Sequence, residues 1–182
     1  MNRNFINITR PTYYSYKKAL KKLSILEDEK GWTPDIKAKS SMRSATKTVF
    51  VDPSLAVASM NATPKSMENN LVAFESVFKT LCIRDLNVYT SSYGGKVSYY
   101  RDKSGLKVDC VLHLKDERYG LIECGLGNYK IDEGAGNLLK INKLIEKNEK
   151  LKKPNFLAVL SVGKYAYTRR DGVKVIPVGC LR

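Results

Sequence analysis

The sequence predicts an α/β fold, a mixed sheet flanked by helices. Three patterns carry that prediction. Residues 96–124 hold three short alternating strands separated by turn residues. Residues 155–162 form a continuous apolar run of the kind buried on both faces of a sheet. Two segments, 71–81 and 138–145, repeat apolar residues every three or four positions, as one-faced helices do.

The elements follow in order. Residues 12–22 (TYYSYKKALKK) predict an amphipathic helix with Tyr13, Tyr16 and Leu20 on one side. Residues 23–26 predict a short apolar strand closed by Glu27, Asp28 and Glu29. Residues 31–44 are polar and basic and predict a loop or wing, and residues 46–51 (TKTVFV) a second strand. Helix, strand, long loop and strand make a small winged-helix-like α+β segment. The helix that would enter a DNA groove is missing or reduced to residues 1–11. Asp52 and Pro53 can start a short helix as N-cap and first-turn proline. Thr63 before Pro64 is a second N-cap. A long helix then carries Leu71, Phe74, Val77, Phe78 and Leu81 to about Tyr89. Glu75 lies beside Phe74 and Phe78 in that pattern, either reaching a site from the helix or facing solvent.

Residues 91–95 predict a turn, 96–101 a strand, 102–105 a hairpin turn, 106–114 a strand, 115–118 a turn and 119–124 a strand. Alternation places Val108, Cys110 and Leu112 on one face. A loop at 125–130 leads to a helix from Asp132 to about Lys150 with Leu138, Ile141 and Ile145 as its stripe. The chain closes with the buried strand and a hairpin, 165–169 and 173–178, around Asp171-Gly172. The expected division is a connecting segment, 1–60, and a mixed-sheet domain, 61–182.

Whole-chain quantities narrow the function. At 182 residues the chain can bury one solid core, or one core plus a small appendage. It has no bilayer-length apolar run and no signal-type N-terminus, so a cytoplasmic, non-membrane protein is expected. Its four cysteines, Cys82, Cys110, Cys124 and Cys180, form no CxxC pair, and three occupy apolar positions of buried, reduced type. The single histidine, His113, cannot build a zinc site alone and is expected at a surface or edge. Net charge is +14, distributed as +7 over residues 1–50, +1 over 51–130 and +6 over 131–182. Positive ends around a near-neutral centre suit a polyanion, or an acidic protein face.

Chemistry concentrates at Asp109 and Glu123. Each is an acid among β-formers, on adjacent predicted strands, so the two carboxylates would lie side by side. Like charges held close need a cation, a shared proton or open water. Metal-dependent phosphodiester cleavage uses such a pair. Asp109, Glu123 and the backbone carbonyl of Cys124 would offer oxygen ligands suited to Mg²⁺. The same chemistry uses a lysine two residues after the Glu to stabilise transition-state charge, and here that position is Gly125. Lys107 shares the parity of Asp109, and Lys130 and Lys140 could reach in from loop or helix.

Lys140, Lys143, Lys147 and Lys150 recur along one helical face, where they could track a phosphate backbone or form a solvated surface. Arg169 and Arg170 would extend that face if the fold brings them near. No nucleotide site is expected, because Gly94-Gly95-Lys96-Val97 lacks the first Gly and the Ser/Thr of a phosphate loop.

The chain resembles the PD-(D/E)XK superfamily, the restriction-endonuclease-like fold. More closely, it resembles the C-terminal domain of a family of prokaryotic AAA-type ATPases of unknown function. The resemblance covers nearly the whole chain. It rests on Gly31-Trp32-Thr33-Pro34 with its basic loop, on Phe50 through Ala56, and on Asn70 through Glu75. It continues through Tyr100-Arg101-Asp102 with Val108-Asp109, Ile122-Glu123, and Ile131 through Ala135 running into Asn137-Leu138. It implies that Asp109, Glu123 and Glu75 match the nuclease-like signature, with Gly125 in place of the lysine. It also implies an ATPase domain as partner, with this chain a fragment of a longer protein or a stand-alone tail. The leading expectation is a nuclease-like module that binds nucleic acid without cutting it. The alternatives are an active Mg²⁺-dependent nuclease with a relocated lysine, and a protein-interaction tail without DNA binding.

Overall fold

The computed structural model describes residues 8–32 and 46–181. The expected basic loop lies mostly outside them. Helix α1 (Arg10–Lys22) opens on a Thr9 N-cap and buries none of its residues. Strand β1 (Leu26–Glu29) pairs antiparallel with β2 (Lys47–Phe50), giving a small α+β segment. β1 lies three residues later than its apolar run predicts. The acids expected to close it sit inside the ladder instead, because β2 supplies their partners. Lys47 reaches Glu29 at 3.1 Å, and the Thr48 hydroxyl donates to Asp28 at 2.7 Å. Leu23 and Ser24 form the turn, with Ser24 at φ 54°.

Helix α2 (Pro53–Ser59) starts as predicted, with Asp52 accepting from the Ser54 amide at 2.8 Å. Arg84 also holds Asp52, at 2.6 Å, and so ties α2 to the long helix. Thr63 caps a separate short helix, α3 (Pro64–Glu68), through a capping box. The long helix α4 (Leu71–Ser91) then begins afresh at an Asn70 cap. Its buried face is Phe78, Cys82, Ile83 and Leu86, while Leu71 is exposed.

Strands β3 (Lys96–Arg101), β4 (Lys107–His113) and β5 (Tyr119–Cys124) form an antiparallel meander. Helix α5 (Gly127–Glu146) crosses over to β6 (Phe156–Ser161), which pairs parallel with β5. β7 (Tyr167–Thr168) and β8 (Lys174–Pro177) complete a six-stranded sheet of order β3-β4-β5-β6-β8-β7. This is the mixed sheet flanked by helices that the sequence predicts. One face packs on α5 through Val111, Leu121, Leu138, Ile141, Ile145 and Val159. The other packs on α4 through Phe78, Cys82, Leu86, Cys110, Ile122 and Leu160.

Two details differ from expectation and bear on the site. α5 begins five residues before Asp132, at Gly127, and ends at Glu146, so the predicted loop is largely helix and Lys150 lies beyond the helix end. On β4 the pairing slips: Ser98 opposes Val111 and Tyr100 opposes Val108, so Asp109 and Cys110 together stand against Tyr99. That β-bulge reverses the alternation. Val108 belongs to the α5 face, while Cys110 and Leu112 belong to the α4 face.

Candidate functional site

The bulge sets Asp109 where the β4–β5 ladder ends. The last pair of that ladder is Cys110 with Ile122, and Asp109 and Glu123 are the next residues on their strands. Asp109 Oδ2 accepts from the Cys124 amide at 3.1 Å, so Cys124 meets Asp109 through its N–H. The two carboxyls lie close enough for each to act on the other's charge. Glu123 is 4% exposed, and its Oε1 has no hydrogen-bond partner. Burial, followed by the charge of Asp109, pushes the Glu123 carboxyl up to about 9. Burial pushes Asp109 the same way, but Lys79, the Cys124 amide and Lys107 outweigh it and hold Asp109 below the usual carboxylate range. At neutral pH the pair therefore holds one proton and one negative charge between its two carboxyls.

That charge is met from α4. Lys79 Nζ lies 3.1 Å from Asp109 Oδ2 and 3.2 Å from Glu75 Oε1. Glu75 and Lys79 are one helical turn apart, so a single face of α4 delivers both groups. Burial disfavours the Lys79 charge, yet Asp109 and Glu75 hold the ammonium above the ordinary lysine range. Lys130, from the first turn of α5, stands 3.9 Å from Glu75 and 3.0 Å from Glu133. A small cavity of about 10 Å³ is lined by Glu75, Lys79, Lys107, Glu123 and Lys130 among others. It is at the lower limit for one water.

The structure thus brings together Glu75, Asp109 and Glu123, and adds Lys79, which the sequence reading missed. The available signal was the spacing of four between Glu75 and Lys79. Of the expected lysines, Lys107 and Lys130 line the small cavity and exposed Lys140 does not. The position two after Glu123 is closed: a Cβ on Gly125 would come within 2.8 Å of Lys130 Cβ and 3.1 Å of its backbone. Helix α5 also presses on Glu123, where a Cβ on Gly134 would lie 3.0 Å from Glu123 Cβ.

These residues do not fit a divalent cation as they stand. The carboxylate of Asp109 is already neutralised by the Lys79 ammonium, and Glu75 is paired with the same ammonium. Among the described residues no group of three or more His, Cys, Asp and Glu is arranged to hold a metal ion.

Beside the cluster opens a groove of about 850 Å³. Lys47, Lys79, Arg101, Lys103 and Lys107 line it, with Asp102 and Asp109 as its acids and Tyr99 and Tyr100 in its wall. Lys47 also neutralises buried Glu29, whose carboxyl burial pushes up despite that lysine. The helix surface is less continuous than its spacing suggests. Lys140 and Lys143 lie on α5, Lys147 is its C-cap, and Lys150 falls in the following turn. Arg169 is held by Asp132 and Asp171. Asp132 precedes Lys140 on α5 by eight residues, roughly 12 Å along the axis. Arg169 therefore stands apart from the lysine row, and exposed Arg170 follows it on the hairpin.

Cys82, Cys110 and Cys124 are buried free thiols, as expected, and Cys180 is exposed. His113 is half-buried against Trp32 and Tyr119. Among the described residues no helix is long and apolar enough to cross a membrane.

The sequence matches the domain of unknown function DUF4143 over residues 74–181, from the middle of α4 to the last turn. No curated protein and no solved structure matches the chain. The matched span holds β3 to β8, α5 and the whole Lys79–Asp109–Glu123 cluster, and it exceeds half the chain. The chain belongs to the DUF4143 family, a nuclease-like PD-(D/E)XK-type domain that occurs C-terminal to AAA-type ATPases.

Proposed function

We propose that this chain is a non-catalytic nuclease-like module that binds nucleic acid on behalf of an AAA-type ATPase in the cytoplasm. The observation that carries this reading is the open groove at the carboxylate pair, lined among the described residues by five cations and two acids. Lysines and an arginine on a concave wall suit a phosphate backbone. The carboxylates below are occupied with one another and with Lys79, which supports binding without cleavage. The segment of α1, β1 and β2 would join the module to its motor domain.

The test is anisotropy of a short labelled DNA duplex across a salt series. Binding should weaken steeply with salt, and Lys103→Glu should lower affinity and reduce the salt slope by about 1. Lys143→Glu examines the helix lysines as a second surface and should matter less. No binding at low salt would favour the interaction-tail reading, in which the basic faces meet an acidic protein.

A second reading draws on the Lys79–Asp109 ion pair itself. Lys79 could be the relocated lysine of an active Mg²⁺-dependent nuclease. That reading requires Mg²⁺-dependent cleavage that disappears in both Asp109→Ala and Glu123→Ala. Binding without such cleavage favours the non-catalytic module.

A further inference from the structure

The open groove takes its walls from separate parts of the chain. Thr46 and Lys47, at the start of β2, belong to the N-terminal α+β segment. Arg101, Lys103 and Lys107 belong to the β3–β4 hairpin. The two walls hold their charge differently. Lys47 reaches Glu29 at 3.1 Å, so a buried carboxylate fixes an exposed ammonium at the groove. The same ammonium stands 5.8 Å from the centre of the Tyr99 ring on β3. On the hairpin, Arg101 and Lys107 are direct cross-strand partners, and both are exposed. Like charges opposite one another weaken an antiparallel pair. Lys47 and Lys79 are paired with acids, but among the described residues no carboxylate forms an ion pair with Arg101, Lys103 or Lys107. Asp102, the acid beside them in sequence, is occupied by the turn. It accepts from the Ser104 hydroxyl at 2.7 Å and from the Leu106 amide at 2.9 Å. The hairpin therefore gathers three cations that the fold leaves unpaired, in one groove with a fourth that the N-terminal segment positions.

We propose that the groove is a phosphate site shared by the N-terminal segment and the β3–β4 hairpin, and that nucleic acid bound there clamps the segment to the sheet. This rests on the nucleic-acid reading of the groove, and it makes the segment a part of the binding surface as well as a connection. A phosphate backbone relieves the Arg101–Lys107 repulsion and meets Lys47 in the same step, with release of counterions. Undocking the segment withdraws Thr46 and Lys47, so the docked arrangement binds more tightly than an undocked one. By linkage, occupancy favours docking as much as docking favours occupancy. Pulling the segment away from the sheet therefore loosens the bound nucleic acid.

The experiment joins anisotropy of a short labelled DNA duplex to urea unfolding followed by Trp32 emission, both on the full chain. The variants are Arg101→Gln, and Glu29→Gln combined with Lys47→Gln. The paired change leaves the formal net charge at +14 and strands no buried carboxylate without its lysine. Wild type should bind, and both variants should bind severalfold more weakly, with the salt slope reduced by about 1. Unlabelled duplex should raise the urea midpoint of Trp32 emission in wild type, and raise it less in the paired variant. If the paired variant shows unfolded-type emission without urea, Thr46→Glu takes its place. That change adds an acid to the same exposed wall, breaks no ion pair, and should weaken binding as much. Unchanged affinity in the N-terminal variant, with Arg101→Gln weakened, overturns the shared site and leaves the nucleic-acid reading standing. Binding that leaves the Trp32 midpoint where it was overturns the clamp in the same way. A wild-type chain that does not bind at low salt overturns both.

Discussion

Glu123 combines two properties that rarely coexist, near-complete burial and a titratable group. In the unfolded chain it ionises near 4.5, and in the fold it keeps its proton up to about 9. Between those values only the unfolded chain releases the proton. The stability owed to this carboxyl is complete below 4.5 and drains away as pH rises toward 9. Asp109 works in the opposite sense, because its depressed value stabilises the fold above the ordinary carboxylate range and is lost on acidification. Glu123→Gln keeps a donor toward Asp109 and removes the titration. Relative to that variant, wild type should lose up to roughly 1.4 kcal/mol per pH unit through the window. Urea denaturation near neutrality and near pH 9 measures it, and parallel curves for the two proteins would contradict the assignment. The sequence made Asp109 and Glu123 legible, because acids inside β-rich segments are conspicuous. Lys79 was not legible. A lysine on an amphipathic helix looks solvated until the sheet is in place and an acid stands opposite.

At the scale of elements, strands were easier to read than helix ends. β3 and β5 match their predicted bounds because alternation between turn residues defines both ends. The β4 bulge was hidden, since periodicity cannot register one residue set against a pair. It decides the site nonetheless, turning Cys110 and Leu112 to the α4 face and leaving Asp109 at the margin of the ladder. The start of α5 was hidden for a different reason. Leu126 provides no side-chain cap, so no polar residue announces the helix. That early start carries Lys130 over Gly125, which explains the glycine: the strand end and the first helical turn approach too closely for a side chain. Gly125 also donates to the Leu160 carbonyl at 2.9 Å, continuing the β5–β6 register. Gly125→Ala should therefore cost about 1–3 kcal/mol by overpacking, read as a lower urea midpoint at unchanged slope. Gly125→Lys meets the same obstacle, so restoring the motif lysine should destabilise the fold without placing an amine at the carboxylates. An unchanged midpoint for Gly125→Ala would mean that the first turn of α5 yields easily.

For the molecule as a whole, the question is how the N-terminal α+β segment relates to the sheet. Charge and pattern suggested a connecting piece, and the contacts show how it is fastened. The Trp32 amide donates to the Tyr99 carbonyl at 2.7 Å, and the Tyr99 amide donates to the Lys30 carbonyl at 3.2 Å, which lengthens the edge at β3. The Trp32 ring packs on Tyr100, His113 and Tyr119 at centroid distances of 6.0, 5.8 and 5.4 Å. Nothing in the local sequence announced that docking, because it joins residues far apart in the chain through a segment too short to show periodicity. Trp32 is the sole tryptophan, so its fluorescence reports on the junction alone. If the segment is held mainly by these contacts, Trp32 emission and far-UV circular dichroism should change in one coincident urea transition. Trp32→Ala should lower stability by roughly 2–3 kcal/mol, less than for a fully buried aromatic because the ring is only partly covered. Emission that shifts well before the dichroism would instead describe a latch that opens while the sheet stays folded. The segment could then move without disturbing the Lys79–Asp109–Glu123 cluster. Coincidence ties the two together, so that force on residues before Trp32 would be felt along β3 and at the bulge that positions Asp109.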